Sequence, residues 1–242
     1  MTKSRLVIFD ICGTLFFSNT SFDFLDLIVQ AKSYSLFRKV SKTIFARIIN
    51  KVSVLLLKKD LIRSIAVLYI KGMSKAELQE KADIFYNQYL LPLKIDNSFD
   101  KIEFYRKDSN TTIILASATF DFIADVVANR LEIPIYFGTE LAYDNQGIFK
   151  GKILKDRLGH KYQALNDMGL KSPFYKVITD NITDMDIINC SKTVDLIIYP
   201  WTEKKWSKRK SSIKAVIEDV WKLLHTCNNL KHDESHRRTG EG

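Results

Sequence analysis

"VIFDICGTLF", Val7 to Phe16, sets the architecture of the whole chain. An apolar run ends on Asp10 and passes almost at once into the Gly13-Thr14 pair. That order reads as a buried strand whose carboxyl end delivers one carboxylate into a tight turn. Two residues beyond Asp10 stands Cys12, a thiol in a loop otherwise built to aim an acid. What such a loop can do depends on what the rest of the chain brings beside it.

Four more short runs resemble the first: "TIILA" (112–116), "IPIYF" (133–137), "YKVIT" (175–179) and "VDLIIY" (194–199). With "RLVIF" (5–9) they are continuous apolar runs, the pattern of strands buried on both faces of a parallel sheet. Helical patterns at 120–131, 159–169 and 184–190 alternate with them. The expectation is an α/β, doubly wound, Rossmann-like parallel sheet. Residues 20–100 break the alternation. Val40, Ile44, Phe45, Ile48, Ile49, Val52, Leu55 and Leu56 fall at helical spacing, with Lys39, Lys42, Arg47 and Lys51 on the other side. A second helix runs to Ile70 and stops at Gly72; "SKAE" (74–77) starts another as a capping box, which Pro92 ends near Leu91. The expected organisation is a discontinuous core (1–18 and 101–226), an all-helical insert (19–100) and a polar, disordered tail (227–242).

Composition narrows the setting. The chain of 242 residues is 46% hydrophobic and 27% charged, enough to fill a core. Cys12, Cys190 and Cys227 are widely spaced and form no CxxC pair, so reduced thiols in the cytoplasm are expected and a zinc site is not. The apolar run of the N-terminus is too short for a signal peptide, and no stretch is long enough to span a membrane. Charge is unevenly spread. Between Ala31 and Ser64 nine basic residues face only Asp60, and a second basic stretch runs from Lys204 to Lys214. Such patches attract anions. The isoleucine pairs and Leu55 to Leu57 are expected to fill the insert's own core, so membrane contact is the less favoured reading. Aromatics do not interleave with the basic residues as a nucleic-acid platform requires.

The ends of the strands carry the chemistry, as they do in open α/β sheets. "LASAT" offers Ser117 and Thr119, "VITDNITD" offers Asp180 and Asp184, and "GHKYQAL" places Lys161 at a helix start. A strand-end carboxylate such as Asp10 can attack a phosphoryl group. Asp10 and Asp180 could hold Mg²⁺ through oxygen, Ser117 and backbone N–H groups near Cys12 and Gly13 could bind phosphoryl oxygens, and Lys161 supplies fixed positive charge.

In this order and spacing the pieces resemble the haloacid dehalogenase superfamily, on the phosphoserine-phosphatase-like branch with a helical cap after the first motif. "GTELAYDNQGIFKGKI" (138–153) resembles the strand-and-hairpin segment before that branch's lysine, and "IKGMSKAEL" resembles its cap. "ITDNITDMDII" matches the last motif, with Thr179 where glycine is usual and Asn181 where serine is common. The resemblance implies Asp10 as nucleophile and metal ligand and the Cys12 carbonyl as a further ligand. Asp180 would be the last protein ligand and Asp184 its partner in the metal site, with Ser117 and Lys161 as phosphate clamps. Gly13, Thr14, Asn19 and Thr119 are expected to meet substrate. The implied cofactor is Mg²⁺ and the implied substrate a small anionic phosphomonoester, a sugar or lipid phosphate included. Position 12 departs from the pattern: phosphatases of this kind carry a second aspartate there, which protonates the leaving group and activates water. Three readings follow: a phosphomonoesterase, slow or assisted by another group; a phosphotransferase; and a phosphate-binding protein that has lost turnover.

Overall fold

The computed structural model describes residues 5–57 and 60–223. The expected tail (227–242), with Cys227, His232, His236, Arg237 and Arg238, lies outside them. Seven strands form one sheet in the order β4-β3-β2-β1-β5-β6-β7, every neighbouring pair parallel except β3 with β4. The central strand β1 (Arg5–Phe9) has β2 (Thr111–Phe120) on one side and β5 (Phe174–Thr179) on the other. The chain runs outward from β1 through β2 and β3 (Ile135–Tyr143), then returns and runs outward again through β5 and β6 (Ser191–Ile198). That reversal opens a crevice at the carboxyl ends of β1 and β5, where Asp10 stands.

Both faces of β1 are buried. Val7 and Phe9 join a core shared with the inserted helices, while Ile8 joins a second core on the opposite face. The 138–153 segment forms the hairpin of β3 and β4 (Phe149–Lys155). Gly138 sits where any Cβ would come within 2.8 Å of the Asp121 Cα, so β3 lies against the first turn of the preceding helix, α7 (Asp121–Arg130), only because that side chain is missing. The seventh strand, β7 (Val216–Lys222), is an addition to the sequence reading. Its burial alternates between exposed and half-buried, so it lacks the continuous apolar run of the inner strands.

Between β1 and β2 every described element is helical, as expected. In chain order these are α1 (Thr20–Ile28), α2 (Lys32–Ser41), α3 (Ile44–Leu57), α4 (Leu61–Ala66), α5 (Lys75–Phe85) and α6 (Asp96–Arg106), with short 3-10 and π turns between some of them. Ser74 caps α5, accepting from the Glu77 N–H at 3.1 Å. The apolar spacing of 40–56 belongs to two helices rather than one, divided at Lys42-Thr43. The expectation that the isoleucine pairs fill the insert's core is overturned: Ile48 and Ile49 are exposed, as are Ile44, Phe45, Val52 and Leu56, while the side chains of Leu55 and Leu57 lie outside the described ones. The side turned inward carries Ser53, buried, with Ala46 and Asn50 half-buried. Among the described residues no helix is long and apolar enough to cross a membrane.

Candidate active site

Strand register gathers the distant motifs. Phe9 pairs with Leu115 and with Ile178, so the residues just beyond them, Asp10, Ser117 and Asp180, emerge side by side at the sheet's carboxyl edge. Asp10 is 1% exposed. Its Oδ1 accepts from the Ile11 N–H at 2.8 Å and from Lys161 Nζ at 2.9 Å, while its Oδ2 is buried without a hydrogen-bond partner. One oxygen is clamped and the other presented.

Lys161 begins α8 (Lys161–Asp167). It is fully buried and also reaches Asp184 Oδ2 at 2.7 Å. Burial alone would lower its pKa, but Asp10 and Asp184 outweigh that and hold it above the ordinary lysine value. Asp184 is further held by the Thr179 hydroxyl at 2.7 Å, so the threonine at this position orients the acid directly. Thr14 locks the half-buried Asp180: its hydroxyl accepts from the Asp180 N–H at 3.0 Å and donates to Oδ1 at 3.2 Å. Burial, then Asp10 and Asp184, push the Asp180 carboxyl well above the usual range. Asp184 is raised by burial, with Asp10 adding to the rise and Lys161 opposing it.

These observations test a divalent cation against the site. Three carboxylates face one ammonium, leaving two negative charges when all are ionised, and Asp10 Oδ2 and Asp184 Oδ1 are both buried without partners. Hard oxygen donors and uncompensated negative charge suit Mg²⁺, which keeps several waters and takes few protein ligands. Among the described residues no group of three or more His, Cys, Asp or Glu side chains forms a ready metal cage. The groups that could hold such a cation are the carboxylates of Asp10 and Asp180 and the Cys12 carbonyl.

The loop itself is tightly made. Gly13 has φ +72° and donates its N–H to the Phe16 carbonyl at 2.9 Å, so that N–H is spent within the loop rather than aimed at a ligand. A Cβ on Gly13 would lie 2.3 Å from Asp180 Oδ2. Cys12 is half-buried, and its thiol donates to the Ser18 carbonyl at 3.0 Å. Burial, Asp10 and Asp180 push its pKa up to about 12, so it stays a neutral thiol. Ser117 is buried and accepts from the Thr119 N–H at 3.2 Å. Thr119 meets the Thr20 hydroxyl at 2.7 Å, which ties β2 to α1. Asn19 is exposed at the N-cap of α1 and makes no side-chain capping bond; it lines a cavity of about 350 Å³ with Phe22, Arg38 and Lys42.

Three supporting residues escaped the sequence reading. Arg63 of α4 is buried, bonds Asp156 Oδ1 at 2.8 Å and donates to the Ala118 carbonyl between Ser117 and Thr119. Tyr199 donates to the Gly13 carbonyl at 2.6 Å, and Trp206 Nε1 to the Asp180 carbonyl at 3.2 Å. Their partners lie far away in sequence, and no local motif marks them.

Comparisons with known proteins bear on the fold and the family. No curated protein matches the sequence. Among solved structures, a protein with unknown function from Bordetella pertussis Tohama I is 17% identical, with TM-score 0.62 over 89% of this chain and 98% of that one. A phosphoserine phosphatase carrying a phospho-aspartyl intermediate analogue is 13% identical, with TM-score 0.57 over 96% and 99%. A phosphoserine phosphohydrolase-like protein from Francisella tularensis is 18% identical, with TM-score 0.56 over 88% and 94%. At such identities the likeness is one of fold. A family model, described as haloacid dehalogenase-like hydrolase, matches residues 7–186, from the strand that carries Asp10 to just beyond Asp184. A match over well more than half of the chain, enclosing every strand-end motif, makes this protein a member of the haloacid dehalogenase-like hydrolases.

Proposed function

We propose that the chain hydrolyses a small phosphomonoester with Mg²⁺, through phosphorylation of Asp10. The observation that carries this reading is the asymmetry of Asp10, whose Oδ1 is fixed by Ile11 and Lys161 while Oδ2 is buried and unpaired. A carboxylate so held is pre-aligned for in-line attack. Asp10 and Asp180, with the Cys12 carbonyl, would hold the cation; when bound it neutralises charge between carboxylate and phosphate and orients the phosphoryl group.

In the first step Asp10 Oδ2 forms a bond to phosphorus as the bond to the ester oxygen breaks, and the departing alkoxide takes a proton from water. In the second, water attacks the aspartyl phosphate, phosphate leaves with the Asp10 carboxylate restored, and the water's proton passes to solvent. Lys161, held protonated by Asp10 and Asp184, offsets charge gathering on the phosphoryl oxygens, to which the Ser117 hydroxyl would donate. Two neighbours in fold, a phosphoserine phosphatase bound to substrate and a cytosolic 5'-nucleotidase, support the substrate class.

The thiol of Cys12 favours slow turnover. It is neutral, and it is turned onto the Ser18 carbonyl. At this position the thiol supplies neither proton transfer above with the acid or base that is typically worth about 10²–10⁴ in rate. Substrates with good leaving groups lose least. Phosphate release from a phosphomonoester panel with Mg²⁺ tests the proposal. The wild type should turn over slowly, Asp10→Asn should abolish release, and Cys12→Asp should raise it by about 10²–10⁴. Release that survives Asp10→Asn sinks the reading. A wild type without turnover that gains it in Cys12→Asp identifies a retired enzyme, and a stable phosphoprotein discharged only by an added acceptor identifies a phosphotransferase.

A further inference from the structure

The helix α3 is built inside out. At 3.6 residues per turn six of its exposed apolar side chains form one arc, with Val54 apart from it: Ile44 (68% exposed), Phe45 (76%), Ile48 (55%), Ile49 (61%), Val52 (47%) and Leu56 (71%). The seam turned inward holds instead Ala46, Asn50 and Ser53, where Asn50 accepts from the Ile62 N–H at 3.0 Å and steadies the start of α4. A helix of a globular protein normally reads the other way. Leu36 (64%) and Val40 (52%) of α2 are also exposed. A contiguous exposed apolar face of this kind marks an interaction surface.

Charge says what covers it. No acidic residue occurs between Ala31 and Lys59, while Lys39 of α2, Lys42 between the helices, and Arg47 and Lys51 of α3 are exposed, with Arg47 and Lys51 bordering the apolar arc. A second copy presenting this face would set like charge against like. An anionic lipid surface supplies both what the arc and what its border lack: acyl chains for the isoleucines and headgroups for the basic residues. The helix has 14 residues, long enough to lie in an interface and too short to span a bilayer.

We infer that the α2–α3 face seats the protein on anionic membrane surfaces. The inference is independent of turnover at Asp10. It also places the cavity of about 350 Å³, with Arg38, Lys42, Arg47 and Asn19 in its wall, next to the headgroup layer.

The test sediments the full chain with vesicles of phosphatidylcholine alone or mixed equally with phosphatidylglycerol. Binding is expected to the mixed vesicles only and to fall as salt rises. Ile48→Glu with Phe45→Glu should reduce it more than tenfold, and Lys39→Ala and Lys51→Ala should each weaken it about fivefold. Because these side chains point away from the core, circular dichroism and thermal midpoint should stay at the wild-type values. Absence of wild-type binding to mixed vesicles at low salt overturns the inference, as does undiminished binding of Ile48→Glu with Phe45→Glu. So does a wild-type dimer in sedimentation equilibrium that these substitutions dissolve without any vesicle binding. Hydrolysis of soluble p-nitrophenyl phosphate, followed in parallel, separates this result from the fate of the phosphatase reading, since the two glutamates should leave it unchanged.

Discussion

Gly13 shows how little room the site allows at the level of one residue. Its positive φ acts together with the crowding around it, where an added methyl carbon would lie 2.3 Å from Asp180 Oδ2. Left-handed backbone costs an L-residue about 1–2 kcal/mol. Gly13→Ala should therefore lower stability by about that amount and also push Asp180 aside. Thermal unfolding should register the first effect, and a weakened Mg²⁺ dependence of phosphate release the second. A variant with normal metal dependence would show that Asp180 is not the ligand it is proposed to be. Single residues were also where the sequence was most informative. Asp10, Lys161, Asp180 and Asp184 each stood at a strand or helix end, and strand register was enough to bring them together. Arg63 was not legible, since its partner Asp156 lies 93 positions away and a lone arginine on a helix carries no sign of burial.

At the scale of elements, α2 is pinned to α1 by one carboxylate. Asp26 accepts from Arg38 Nε at 2.6 Å and Nη2 at 2.8 Å, and from the Tyr34 hydroxyl at 2.6 Å. Against its partial desolvation, the Arg38 and Tyr34 hydrogen bonds hold its pKa below the ordinary value. A carboxyl lowered by folding contributes stability that is complete above the unfolded pKa, about 3.9, and is lost as the pH falls through the lower folded value. The protection of the α2 amides, measured against their intrinsic exchange rates, should therefore be steady near neutrality and fall only in acid, a dependence that Asp26→Asn should remove by leaving protection low at both. The same scale explains what pattern reading missed. The period of 40–56 was correctly helical, but period alone does not say which side faces the core; α3 reverses the usual sense. The inner strands announced themselves as apolar runs, whereas β7, half-exposed along its length, did not.

For the molecule as a whole, the inserted helices and the sheet are joined at the site by Arg63. Its guanidinium spans from α4 to Asp156 and to the carbonyl of Ala118, beside Ser117. Hydrogen bonds to charged groups contribute about 1.5–3 kcal/mol. Arg63→Met should lower stability by about 2 kcal/mol, speed exchange in α4 and raise KM more than it lowers kcat. A change confined to kcat would place Arg63 in the chemical step rather than in holding the two layers together. The α/β class, the helical insert and their order could be read directly from the alternation of runs, because each depends on local periodicity. Contacts between the two layers could not, because they depend on side chains from separate segments meeting in space.

Trp206 gives the protein an optical handle on its own chemistry. It is 2% exposed, and its indole donates to the carbonyl of Asp180, whereas Trp201 is 56% exposed. The buried indole should emit to the blue of the exposed one and resist aqueous quenchers. A cation drawing on Asp180 would tug at its neighbour's hydrogen bond, so titrating Mg²⁺ should change the quencher-resistant part of the fluorescence in wild type and leave Trp206→Phe silent. Occupancy of the pocket could then be followed in real time without any label, and without knowing the natural substrate.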